Sequence, residues 1–99
     1  MDPDLPDLTI ADVVISTAGR DAGKLFYVLE ADDVWLTLVN GKDRSIEKPK
    51  RKKSKHTRKV LRSDTRVAAK LRSGDKVLNS ELRRDLAYFR QKLQVNPGG

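Results

Sequence analysis

Lys48, Lys50, Arg51, Lys52, Lys53, Lys55, Arg58 and Lys59 place eight fixed cations within twelve residues. Their chemistry is charge neutralisation: ammonium and guanidinium groups pair with phosphates and release condensed counterions. If about six of them reach phosphates, log K should fall with log salt at a slope of roughly −4 to −5. The wider stretch 42–62 holds eleven of the chain's 21 lysines and arginines against two acids, Asp43 and Glu47. The 41 residues before it carry two bases and eight acids, and the 37 after it eight bases and four acids. The net charge of +7 is therefore segregated, and so dense a run needs water or a polyanion around it.

Other chemistries find less support. Gly19-Arg20-Asp21-Ala22-Gly23-Lys24 spaces its glycines by three residues, and Leu25 follows the lysine. A nucleotide phosphate loop needs four between the glycines and a hydroxyl after the lysine. Glycines here serve a tight turn that lets a partner approach the backbone, flanked by Arg20 and Lys24. His56 is the single histidine and cysteine is absent, so no transition-metal site, disulfide or thiolate nucleophile is expected. His56 is expected to stack or hydrogen-bond beside the basic run. Asp32-Asp33 reads as turn chemistry. No catalytic set can be assembled, so no enzyme activity, cofactor or small-molecule substrate is expected. Lys-Arg-Lys-Lys alone also fits a nuclear-import signal or a membrane tether, but no lipidation motif, secretory signal or apolar run of ~18 residues accompanies it.

These residues must be held by something. Residues 1–10, with three aspartates and two prolines, predict an acidic extended tail. Alternation and β-branching predict strands at 12–16, 25–30 and 34–39. Asn40-Gly41 predicts a type I′ hairpin to a short fourth strand, Arg44–Glu47, stopped by Pro49. Four short strands with tight turns predict a small bent antiparallel sheet or barrel across 11–47. Residues 48–62 lack apolar periodicity and read as an extended basic arm, disordered when free. A helical pair is expected over 63–95, then a tail at 96–99. Ser63 is the expected cap of the first helix, with Asp64 in its first turn and Gly74 ending it. Asn79 or Ser80 is the expected cap of the second, striped by Leu82, Leu86, Phe89 and Leu93. Arg83, Arg84 and Arg90 fall on its outer side. Trp35 and Tyr27 are either stacking platforms for unpaired bases or parts of the core.

Val13-Val14-Ile15, Gly19-Arg20-Asp21-Ala22-Gly23, Val28 and Val39-Asn40-Gly41 resemble a KOW module, over roughly residues 11–58. The Lys-Pro-Lys-rich continuation to Lys55-His56 is similar to small bacterial KOW-domain RNA-binding proteins. It is also similar to archaeal and eukaryotic large-subunit ribosomal proteins built on one such module. Ala22 stands where many KOW modules have lysine, and Phe26 where many have a third glycine. The resemblance implies an SH3-like β-barrel carrying a basic arm and two C-terminal helices. It implies a cytoplasmic, ribosome-associated protein that binds large-subunit ribosomal RNA through Gly19, Arg20, Gly23, Lys24, Arg44 and the arm, with ribosomal proteins as possible neighbours. Two other classes stay open: a protein-interaction module of the transcription–translation machinery, and an architectural DNA-binding protein. On this reading, neutralising Lys50, Arg51, Lys52 and Lys53 together abolishes most RNA affinity and leaves thermal unfolding nearly unchanged.

Overall fold

The computed structural model describes residues 8–93. Five strands, β1 (Asp12–Ser16), β2 (Leu25–Ala31), β3 (Trp35–Val39), β4 (Lys50–Lys53) and β5 (Thr57–Arg62), form one antiparallel sheet in the order β4-β3-β2-β1-β5. Helices α1 (Arg66–Ser73) and α2 (Asn79–Leu93) follow. The class is β+α, with strands first and helices after.

β4 and β5 are opposite edges of this sheet, yet only the 3₁₀ turn Ser54–His56 separates them. Edges of a flat five-stranded sheet would lie about 19 Å apart, four strand spacings. The sheet therefore curls until its edges converge. No ladder joins β4 to β5 among the described residues, so the expected barrel is not closed by backbone hydrogen bonds.

Curling divides the side chains between two cores. Val14, Phe26, Val28, Leu36 and Leu38 fill the inside of the curl, with Leu8 packed against them. Val13, Leu25, Tyr27 and Val39 point outward and are covered by Val67, Ala68, Leu82, Leu86 and Phe89 of the helices. Alternation along each strand produces the split, and two bulges adjust it. One lies between Val28 and Glu30 of β2, so Leu29 and Glu30 both face outward. The other, opposite Val13/Val14, sends Val60 and Leu61 of β5 together to the helix side.

Several expectations are corrected. Residues 44–47 form no strand. Asn40 Oδ1 accepts the N–H groups of Lys42 and Arg44, both at 2.9 Å, which winds the chain into a compact loop. Only Gly41 of the Asn-Gly pair has positive φ, at 76°, so no type I′ turn forms. The 48–62 segment is no free arm: residues 50–53 and 57–62 are strands in register with β3 and β1. Its period of two was hidden because the inward positions of β4 are lysines, whose aliphatic stems stand in for apolar side chains. Thr65, not Ser63, caps α1, accepting from Ala68 N at 3.2 Å, and Asp64 lies before the helix. Ser63 is buried and its hydroxyl is taken by Tyr27. Gly74 ends α1 at φ 78° as its type predicts. Leu82, Leu86 and Phe89 are buried, but Leu93 is exposed. Of the predicted tails, residues 1–7 and 96–99 lie outside the described residues, whereas Leu8 and Thr9 are tied to the sheet. No helix among the described residues is long and apolar enough to cross a membrane.

Candidate nucleic-acid interface

The glycine loop, residues 17–24, leaves β1 and returns into β2 through a compact turn. Gly23 N–H donates to Ser16 O at 2.8 Å and Ala22 N–H to Gly19 O at 3.2 Å. Gly19 and Gly23 both have positive φ, 82° and 88°, which an L side chain adopts only with strain. Inside this loop stands Asp21, which sequence reading passed over. Its carboxylate receives Ser16 Oγ at 2.8 Å, Lys52 Nζ at 2.9 Å and Lys50 Nζ at 2.8 Å. Lys52 Nζ also donates to Ala18 O at 2.8 Å. The clamp reaches from the β1–β2 loop to the β4 edge, where the sheet's own ladder does not close. Burial opposes ionisation of Asp21, but the hydrogen bonds from Lys50, Lys52 and Ser16 outweigh it and hold the carboxyl well below its ordinary range.

β4 is thus divided by its pleat. Lys50 and Lys52, opposite Leu38 and Leu36, face inward and are consumed by Asp21. Arg51 and Lys53, opposite Thr37 and Trp35, face outward. The Arg51 guanidinium lies 4.8 Å, and the Lys53 ammonium 5.6 Å, from the Trp35 ring centre. Trp35 is half-buried and belongs to neither core, whereas Tyr27 is fully buried. The Tyr27 hydroxyl donates to Asp85 Oδ2 at 2.7 Å and meets Ser63 Oγ at 2.8 Å. Burial pushes its pKa far above the usual tyrosine value. Tyr27 is a core residue; Trp35 stands half-exposed beneath Arg51 and Lys53.

Further candidates border the glycine loop. Thr17 N–H donates to His56 O at 2.9 Å, joining the glycine loop to the Ser54–His56 turn. Lys24 pairs with Asp43, joining it to the 40–49 loop. From α2, Arg83 donates to Gly41 O and Arg90 to Gly23 O, each at 2.6 Å, so that helix fixes both glycine loops. Asn79 does not cap α2. Its Oδ1 accepts Ile46 N–H and its amide donates to Glu47, pinning the 40–49 loop instead. Between these pieces runs a groove of about 630 Å³ that includes Gly23, Lys24, Lys42, Arg83 and Arg90.

The carboxylates here are committed internally: Asp21 to Lys50 and Lys52, Asp43 to Lys24, Glu47 to Asn79. By contrast, Arg20, Lys42, Arg44, Lys48, Lys55 and Arg58 have no carboxylate within 4 Å among the described residues. The predicted contacts therefore divide. Arg20, Arg44, Lys48, Arg51, Lys53, Lys55 and Arg58 present outward charge, and His56 is half-buried in the turn between them. Lys24, Lys50, Lys52 and Lys59 already hold an acid, the last being 3.3 Å from buried Asp12. The signal for this division lay in the strand period, once 50–53 is read as a strand. Among the described residues no group of three or more His, Asp or Glu is placed to hold a metal. A scan against protein-family models and a search of curated proteins both return no match for this chain.

Proposed function

We propose that the chain is a non-catalytic RNA-binding protein that acts on the ribosome, contacting large-subunit ribosomal RNA. One observation carries the reading: around the glycine loop, the 40–49 loop and the Ser54–His56 turn, Asp21 and Asp43 are paired with lysines and Glu47 with Asn79, while Arg20, Lys42, Arg44, Lys48, Lys55 and Arg58 have no carboxylate within 4 Å among the described residues. A surface so arranged attracts a polyanion and fixes it by shape, because its loops are held from α2 rather than free. The two glycine loops and the curled five-stranded sheet support the KOW reading, in which the sheet is an SH3-like barrel sealed at its gap by the Asp21 clamp. The mechanism differs from a disordered arm that orders on binding: the cations stand on preformed strands and turns, so less ordering entropy opposes association.

The test is competition at fixed ionic strength between a structured ribosomal RNA fragment and duplex DNA of equal charge. Preference for RNA, a steep salt slope and co-sedimentation with large subunits at physiological salt are expected. Equal affinity for DNA would favour an architectural DNA-binding role. A shallow slope, with a polypeptide partner retained after Arg20, Arg44 and Arg58 are neutralised, would favour a protein-interaction module.

A further inference from the structure

We propose that the outer face around Trp35 holds one unpaired nucleobase of the bound RNA, with guanine preferred. The inference rests on the RNA-binding reading and adds to it a site and a base.

The bulge between Val28 and Glu30 shifts the register so that Glu30 pairs with Thr37, which in turn pairs with Arg51. Without it, alternation would send Glu30 inward behind Val28. The result is a row of carboxylate, hydroxyl and guanidinium across three strands, with Trp35 and Lys53 two residues further along. Asp32 closes the corner. Its Oδ1 accepts the N–H groups of Val34 and Trp35 at 2.8 and 2.7 Å, which fixes the backbone that carries the indole. Glu30, Asp32, Trp35, Thr37 and Arg51 line a hollow of about 260 Å³, open to solvent.

Each part answers to one part of a nucleotide. Arg51 and Lys53 lie over the half-exposed indole, and a base that takes their place meets a π-face, the sequence-tolerant platform for an unstacked base. Arg51 and Lys53 supply positive charge for the flanking phosphates, with no carboxylate within 4 Å of either among the described residues. Glu30 and the second oxygen of Asp32 can only accept hydrogen bonds when ionised. Guanine presents two adjacent donors on its Watson–Crick edge and so matches a carboxylate in a bidentate manner. Uracil presents one donor between two carbonyls, which the same carboxylates repel. The Thr37 hydroxyl has no hydrogen-bond partner among the described residues and adjoins them.

Trp35 is the chain's single tryptophan, so its fluorescence reports this site alone. The full chain is titrated with labelled oligoribonucleotides UUGUU and UUUUU, reading tryptophan emission and label anisotropy together. Emission should be quenched as anisotropy rises, with UUGUU bound roughly fivefold or more tighter. Glu30→Ala, which removes no internal bond, should bring the two affinities together. Equal affinity for both oligonucleotides overturns the guanine preference. Rising anisotropy with unchanged emission overturns the site, leaves RNA binding elsewhere intact and frees this face for a protein partner. Absence of binding to these oligonucleotides and to structured RNA overturns both the site and the reading beneath it.

Discussion

Lys50 and Lys52 on one side of β4, and Arg51 and Lys53 on the other, are four consecutive cations with opposite employments. The inward pair shares the single carboxylate of Asp21, which ties β4 to the glycine loop. The outward pair flanks Trp35 and faces solvent. Charge density along the sequence treats all four alike; the pleat does not. A basic run is thus a count of cations, and only strand geometry says which of them a phosphate can reach.

The largest expected effect tests the inward half. Asp21→Ala leaves Lys52, only 8% exposed, without its counter-charge. Breaking a buried pair from one side costs about 3–5 kcal/mol, because the remaining charge stays desolvated. Urea denaturation should show that loss, whereas the Arg51→Ala, Lys53→Ala double variant should lose under about 1 kcal/mol. Equal stabilities would erase the distinction between the two faces. This replaces the expectation that neutralising all four residues spares the fold: Lys50 and Lys52 belong to the clamp.

The two glycine loops sharpen the contrast between sealed and open regions. A Cβ at Gly41 would collide with Asn79 O and stand 3.0 Å from Leu82 Cβ, at a φ of 76°. At Gly23, with φ 88°, it would meet nothing within 4 Å. Gly41→Ala therefore adds overpacking to backbone strain, for a cost of about 2–4 kcal/mol, against about 1–2 kcal/mol at Gly23→Ala. Thermal unfolding of the pair measures the difference. A Gly23→Ala protein as unstable as Gly41→Ala would mean that the glycine loop is packed more tightly than its open surroundings indicate.

The outward half is tested by RNA affinity. Removing Arg51 and Lys53 together should weaken binding about tenfold and reduce the salt slope by up to about 2, one unit for each phosphate no longer neutralised. Removing Lys50 alone should change the slope by much less than one, since its ammonium is held by Asp21. Filter binding at three or four salt concentrations reads both. Similar slopes for the two variants would mean that RNA displaces the Asp21 clamp.

Much of this molecule was legible in the sequence, and the failures share a cause. β1, β2 and β3 follow from β-branched, alternating residues, and Gly74 and the Leu82–Leu86–Phe89 stripe from helix rules. β4 was not legible, because Lys52 is buried by pairing with a residue 31 positions away, and no local pattern records that partner. The displaced cap has the same origin. Ser63 has the right chemistry, but Tyr27, distant in sequence, takes its hydroxyl. Asn79 likewise spends its amide on Ile46 and Glu47. Arg51, Lys53 and Arg58 read as members of a free arm, whereas they stand on strands. Local rules failed wherever a polar side chain had a long-range bond to make.

The smallest effect is a dependence on pH that isolates Asp21. Its folded carboxyl titrates well below the ordinary 3.8, because the bonds from Lys50, Lys52 and Ser16 outweigh the cost of burial. A depressed folded pKa means that the unfolded chain takes up the proton first. The clamp's contribution is therefore complete above about pH 5 and declines as pH falls through 4 toward the folded value. By pH 3 the loss is of order 1 kcal/mol for this group. Asp21→Asn, which keeps the shape and removes the titration, should be less stable than the natural chain at pH 7. Between pH 5 and 3 the gap between them should narrow by that amount in parallel denaturant titrations. Lys53→Ala, which touches only the outward face, should leave the pH profile unchanged. A gap that stays constant to pH 3 would mean that Asp21 titrates alike in folded and unfolded chains, and the inward lysines would then be no more engaged than the outward pair.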